Sequence, residues 1–228
     1  MAENALIVGA GSGLSASLAR LFAKEGMGVA LAARNADKLG ALAKETGARV
    51  FACDAAKRAD VEALFAAAGP LDIVVYNPSA RARGPIAELD PDEVLKALIV
   101  SCYGGFLVGQ QAAKRMLAQG HGSILFTGAS ASVKGYAQSA PFAMGKFGLR
   151  GLAQSMAREL APKNIHVAHF VIDGGIRRVG ADDPRANTRG PDGTLEPDAI
   201  AANYLHVHRQ HRSAWTWEVE LRPWVENF

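Results

Sequence analysis

Ala5-Leu6-Ile7-Val8-Gly9-Ala10-Gly11-Ser12-Gly13-Leu14-Ser15 is the stretch whose reading decides the fold. Its apolar run reads as a short buried strand and its glycines as a tight turn. Leu14, Leu18, Leu21 and Phe22 then recur at the spacing of one helix face. Glycines at such a turn let the backbone bend sharply and come close to a pyrophosphate, whose charge is met by the amides and dipole of the helix N-terminus. The turn sits between a strand and a helix in a strand–helix–strand unit about 30 residues long, the context a dinucleotide fingerprint requires. Gly9, Gly11, Ser12, Gly13 and Leu14 are therefore candidate pyrophosphate contacts.

Outward from this turn, short apolar segments alternate with helical patterns. Strands are expected near 4–8, 29–33, 49–53, 72–76, 123–127, 166–172 and 216–221. Leu39, Leu42 and Ala43, and then Val61, Leu64 and Phe65, mark crossing helices. Asp90-Pro91-Asp92-Glu93 combines an N-cap, a first-turn proline and an acid at the third helical position, opening a helix that runs towards Gln119. Gly104-Gly105 would bend that helix or admit a neighbour. A second long helix is expected over 141–160, and a shorter one from Pro197 to Arg212. Residues 173–196, rich in Gly, Pro and Asp, read as a long binding loop or lid. The order predicts an α/β fold: a doubly wound parallel sheet, Rossmann-type, in three αβα layers, with 1–228 as one domain.

Composition narrows the function. With 228 residues, 49% hydrophobic, the chain can build a sizeable core. Its 25 Lys plus Arg and 22 Asp plus Glu give a net +3 without a block of like charge, so neither a nucleic-acid nor a membrane surface is expected as partner. Cys53 and Cys102 stand apart, outside any metal-ligand spacing, and read as two buried thiols of a reducing compartment. The start of the chain lacks the pattern of a secretory signal, and a cytoplasmic location is the expectation.

The second strand ends at Ala33-Arg34, where a carboxylate for the adenosine ribose of NAD would be expected. A missing carboxylate removes repulsion, and a guanidinium pairs with a 2′-phosphate through charge-assisted hydrogen bonds. The cofactor expected is thus NADP(H), with Arg34 on its 2′-phosphate and Ser12 as a helper.

From Gly9 through the last strand, the chain resembles a short-chain dehydrogenase/reductase. The resemblance rests on the glycine spacing, Cys53-Asp54 after the third strand, Asn77 after the fourth, and Lys146 on the long late helix. It implies that Asp54 contacts the adenine, Asn77 supports the adenosine-side loop, Lys146 holds the nicotinamide ribose and Gly174 lies in the cofactor site. It also implies hydride transfer between nicotinamide and a carbonyl, with a Tyr four residues before the Lys handling the proton.

That position is Phe142. A benzyl group has no ionisable proton, and a general acid typically supplies about 10² to 10⁴ in rate. Thirteen residues before it, Ala129 stands where the family has a Ser, with Ser130 next to it as a candidate substrate contact. Ser101 replaces the family's Asn, Asp173-Gly174 its Pro-Gly, Arg178 its nearby Thr, and Ser15 the third fingerprint glycine. Two readings stay open. One is an NADP(H)-dependent oxidoreductase on an unidentified carbonyl or alcohol, with Lys146 and Ser130 in the catalytic site and the proton coming from Lys146 through water or from Tyr136. The other is a non-catalytic NADP(H) sensor whose 173–196 loop gates a protein partner.

No metal is expected: on the helix near 198–212 only His208 and His211 share a face, without an acid beside them, and His166 and His169 point to opposite sides of their strand. The alternating tail Trp215–Trp224 reads as an edge strand with an apolar end. A homodimer or homotetramer is expected, with Phe147, Leu149, Leu152 and Met156 as a possible seam.

Overall fold

The computed structural model describes residues 2–178, 189–190 and 192–226. Seven strands, β1 Asn4–Val8, β2 Gly28–Ala33, β3 Arg49–Ala52, β4 Ile73–Tyr76, β5 Gly122–Thr127, β6 Ile165–Ile172 and β7 Glu218–Leu221, form one sheet in the order 3-2-1-4-5-6-7. Every neighbouring pair is parallel. Parallel strands covered on both faces have no polar side to spare, which is why Ile165–Ile172 is buried at every residue. Along β1, Ala5 and Ile7 enter one core while Leu6 and Val8 enter the other.

One core is closed by α1 Leu14–Lys24, α2 Gly40–Thr46 and α7 Pro197–His208, the other by α3 Arg58–Ala68, α5 Gly104–Gln119 and α6 Ala140–Leu160. Phe22, Leu18, Phe65 and Leu64 each lie within 3% of full burial, and each such side chain contributes about 1.5–3 kcal/mol. Helix α4, Pro91–Leu98, starts as its sequence demands: the Asp90 carboxylate accepts the Asp92 N–H at 2.9 Å. A π-helical turn, Ile99–Tyr103, joins it to α5. Gly104 lies at that junction because a Cβ there would come 2.5 Å from the Tyr76 hydroxyl and 2.8 Å from the Ala55 carbonyl. At Gly105 a Cβ would meet Leu149 of α6 at 2.4 Å, so the Gly-Gly pair admits both a strand residue and a helix.

Three expectations need correction. The helix from Pro197 ends at His208, not Arg212, because the Gln210 side chain turns back to bind Thr216 and the His211 ring receives the Ser213 N–H. Leu149 is fully buried against Gly105 and Tyr76 and so belongs to no subunit seam, whereas Phe147 is 45% exposed. Cys102 is only partly buried, beside Gly148, while Cys53 is buried as expected. Among the described residues no helix is long and apolar enough to cross a membrane.

Gly104→Ala should lower unfolding free energy by about 1–3 kcal/mol, because its new methyl meets a backbone carbonyl that cannot move aside. Gly151→Ala, on an exposed turn of α6 with no atom within 4 Å of the new carbon, should raise it by about 0.5–1 kcal/mol. Urea denaturation of the two variants checks both signs.

Candidate functional site

A cleft of about 750 Å³ opens at the C-terminal ends of β1 to β4, where the chain order reverses. Gly9, Gly11, Ser12, Arg34, Asp54 and Asn77 all line it. Its floor is the turn after β1, which must pass very close to the loop after β4. Gly9 adopts φ +81°, and a Cβ there would lie 2.6 Å from the Pro78 nitrogen. Only glycine satisfies both conditions. Gly11 and Gly13 have no protein atom within 4 Å of where a Cβ would be, so their backbone is open to a ligand's approach. Gly13 is the N-cap of α1, which places the free amides of the helix start at the cleft floor. The side chain of Leu14 goes into the core, leaving its backbone N–H as the only group it offers.

Ser15 does more than fit. Its hydroxyl donates to the Gly9 carbonyl at 3.2 Å and accepts from Asn77 Nδ2 at 2.7 Å, tying the glycine turn to β4. The sequence signals only that a small residue was tolerated there. Asp54 holds its own turn, its carboxylate accepting the Ala56 N–H at 3.1 Å. At the end of β2, Lys38 joins Arg34 along the cleft wall, a second cation that the sequence reading missed although it follows Arg34 by one helical turn. These features fit a dinucleotide carrying an extra phosphate: a backbone cradle with no side chains in the way, and two cations where a ribose-binding acid would otherwise stand.

Outside the lining of this cleft, α6 carries Phe142 and Lys146 on one face, four residues apart. Lys146 Nζ donates to the Thr127 carbonyl at 2.8 Å. Burial, helped by the charge of Arg81, pushes its amine down to about 7. Phe142 is 6% exposed, and the Arg81 guanidinium lies 4.2 Å from its ring centroid. Ser101, fully buried in the π-helical turn, accepts the Ala80 N–H at 3.1 Å and donates to the Ala80 carbonyl at 3.2 Å. Ser130, half-buried, opens the 3₁₀ turn that follows Ala129.

That turn is braced from behind. Ser132 accepts the Ala129 N–H at 3.2 Å and donates to His169 Nε2 at 3.3 Å. His169 Nδ1–H donates to Glu218 at 3.1 Å, and Glu218 takes both arms of Arg150 at 2.6 and 2.7 Å. Burial pushes the imidazole of His169 down to about 4 despite Glu218, so it is neutral at pH 7 and its tautomer is set by that carboxylate. Ser132 and His169 are fully buried and positioned to support the turn, not to meet substrate.

Gly174, at the end of β6 with φ +146°, packs against Pro223. Tyr136 is 47% exposed on the loop before α6. His166 stacks on Trp215, 4.6 Å between centroids. His208 has an acid partner after all, Glu3 at 3.1 Å, which the chain distance of 205 positions hid. Among the described residues no group of three metal-ligating side chains occurs. Of the 173–196 loop on which the sensor reading depends, 179–188 and 191 lie outside the described residues.

Comparison with known proteins gives one answer. The short chain dehydrogenase family model matches residues 3–178. D-threitol dehydrogenase of Mycolicibacterium smegmatis is 32% identical over 214 residues, covering 87% of this chain and 82% of that protein. A short-chain dehydrogenase from Rhodopseudomonas palustris superposes with a TM-score of 0.84 at 39% identity, over 97% of this chain and 99% of the other. A variant of actinorhodin polyketide ketoreductase solved with NADPH has a TM-score of 0.89 at 25% identity, over 100% and 98% of the two chains. The strand order, the glycine turn at its reversal and a family match over most of the chain agree: this protein belongs to the short-chain dehydrogenase family.

Proposed function

We propose that the protein is an NADP(H)-dependent oxidoreductase that interconverts a carbonyl and an alcohol on a small molecule. The observation that carries this reading is the pairing of Arg34 and Lys38 on the wall of the cleft whose floor is the Gly9–Gly13 backbone. A 2′-phosphate gains charge-assisted hydrogen bonds from such a pair, whereas a bare ribose gains little. Gly9, Gly11, Ser12, Gly13 and the Leu14 amide take the pyrophosphate, Asp54 the adenine, Asn77 the adenosine side, and Lys146 the nicotinamide ribose, with Gly174 at the far end of the site. When bound, NADPH supplies a hydride.

The chain's own contribution is position and a proton. Phe142 contributes no proton, and Tyr136 is largely turned to solvent. Lys146 is the group whose basicity is matched to neutral pH, so it serves as proton source through water, with Ser130 contacting the substrate oxygen. Exposed Tyr103, Phe106, Met144 and Phe147 on and beside α5 and α6 support a homodimer or homotetramer, placed here in the cytoplasm.

Titration with NADPH and NADH tests the reading directly. Wild-type protein should prefer NADPH, and Arg34→Ala should weaken NADPH by about tenfold or more, the size expected for one charge-assisted contact, while leaving NADH within about twofold. Equal weakening of both would remove the 2′-phosphate assignment. Phe142→Tyr should create or raise carbonyl reductase activity by about 10², read as NADPH oxidation across a carbonyl panel. Lys146 also fixes a stability trend. Its amine is depressed in the folded state, so the unfolded chain holds the proton to higher pH and stability should rise from pH 7 to 9. Lys146→Met should flatten that rise in a pH series of denaturation curves.

A further inference from the structure

The last strand covers only part of its neighbour. β7 pairs with β6 from His169 to Ile172, and Trp217 adds one more bond, its carbonyl accepting the His169 N–H at 2.8 Å. Nearer the start of β6, the rings of Trp215 and Trp217 stand beside Val167, and α6 with the turn after it brings only Ala157 and Ala161 to the same space. Two indoles against two methyl groups cannot fill it. A slot of about 220 Å³ remains, and none of its lining residues belongs to the dinucleotide cleft.

Its walls are fixed by the fold. His166, buried in β6, stacks on Trp215 with the rings 3° from parallel, and the Trp215 indole N–H donates to the Gln210 carbonyl at 3.1 Å. Arg150, whose two arms hold Glu218, lies 5.5 Å from the ring centroid of Trp217. Walls already ordered lose little freedom when they take a flat ring. The rim is basic. Arg158 is the one charged residue lining the slot among the described residues, and its hydrogen bond runs to the Gln154 carbonyl of its own helix at 3.5 Å. Arg212, 6.0 Å from the Trp215 ring centroid, donates to the Ala161 and Pro162 carbonyls at 3.2 and 3.0 Å. Neither is paired with a carboxylate among the described residues. The surroundings favour a small molecule over a second copy of the chain. A subunit contact takes about 800 Å² from each partner, whereas the exposed side chains beside this slot are Arg158, Arg212 and Ser213, and the large exposed apolar ones, such as Tyr103, Phe106 and Phe147, lie elsewhere.

We propose that this slot is a second ligand site, which takes a small aromatic carboxylate with its ring among Trp215, Trp217 and Ala157 and its charge at Arg158. The ring removes apolar wall from water, and the carboxylate gains charge-assisted hydrogen bonds from the guanidinium. An apolar recess with a few placed polar groups is the usual build of a small-molecule site. Because the slot is separate from the dinucleotide cleft, the assignment goes beyond the oxidoreductase reading and does not depend on it.

Nuclear magnetic resonance of protein labelled with ¹⁵N at tryptophan tests it, with naphthalene-2-carboxylate compared with naphthalene-2-carboxamide, the same ring without the charge. The indole N–H signals of Trp215 and Trp217 should shift on adding the acid, with a dissociation constant of about 1 mM or tighter. The signal of Trp224, 81% exposed, should stay in place. The amide should bind about tenfold or more weakly, the size of one charge-assisted contact. Arg158→Gln, at an exposed position, should bring the acid down to the affinity of the amide, and Ala157→Leu, which fills the slot, should abolish binding of both. Saturating NADP⁺ should leave the shifts unchanged. Equal affinity for acid and amide, a preference that survives Arg158→Gln, shifts that NADP⁺ abolishes, or no shift of either indole overturns the assignment. Self-association that Ala157→Leu weakens, with neither probe bound by the wild-type protein, gives the slot to a second copy and overturns it as well.

Discussion

The contact between the turn after β1 and the loop after β4 is the constraint on which the rest of the site depends. Two parallel neighbours send their chains to opposite faces of the sheet, and the crevice this leaves is a binding site only if its floor is thin. Here it is a single layer of backbone, Gly9 against Pro78, with no room for a Cβ between them. Ser15 locks that layer by bonding Gly9 and Asn77 together. The hydroxyl replaces the extra closeness a glycine would allow with a directed bond, so packing is exchanged for polar rigidity at one position.

Around that floor the candidate site has two chemically distinct halves. The half over β2 and β3 is defined by cations at its wall and an exposed backbone, features that suit phosphates. The half over α6 is defined by enclosure: Lys146 is surrounded, Phe142 is covered by a guanidinium, and the Ala129 turn is braced from beneath. Low local polarity explains why the amine of Lys146 and the imidazole of His169 are both less basic than in water, and hence why both are available in neutral form near pH 7.

Most of the fold was legible because it is written in local signals. Strand alternation, the Asp90-Pro91 start and the helical spacing of Leu14, Leu18 and Phe22 each act over a few residues, and the seven strands lie close to where those signals put them. The cleft-lining glycines, Arg34, Asp54 and Asn77 were legible by their place after strands. What escaped has partners far along the chain. His208 meets Glu3, His169 meets Glu218, and Leu149 turns inward because Gly105 makes space for it. A periodic pattern says that a residue faces something; it does not say what. Arg81 is the clearest instance, an ordinary loop cation in sequence whose guanidinium lies over a ring 61 positions later.

The brace beneath the Ala129 turn also imposes an order in time. Glu218 belongs to β7, which leaves the ribosome after every other strand of the sheet. Until it docks, the buried imidazole of His169 has no acceptor for its Nδ1–H, a penalty of about 1–3 kcal/mol that works against closing the turn over it. The dinucleotide half waits for the end of the chain as well: α1, which carries the cradle, packs into the core that α7 closes, and Val219 and Leu221 of β7 pack against that same core. Both ends of the site therefore depend on the last elements to be made, so the cradle and the reacting end close together.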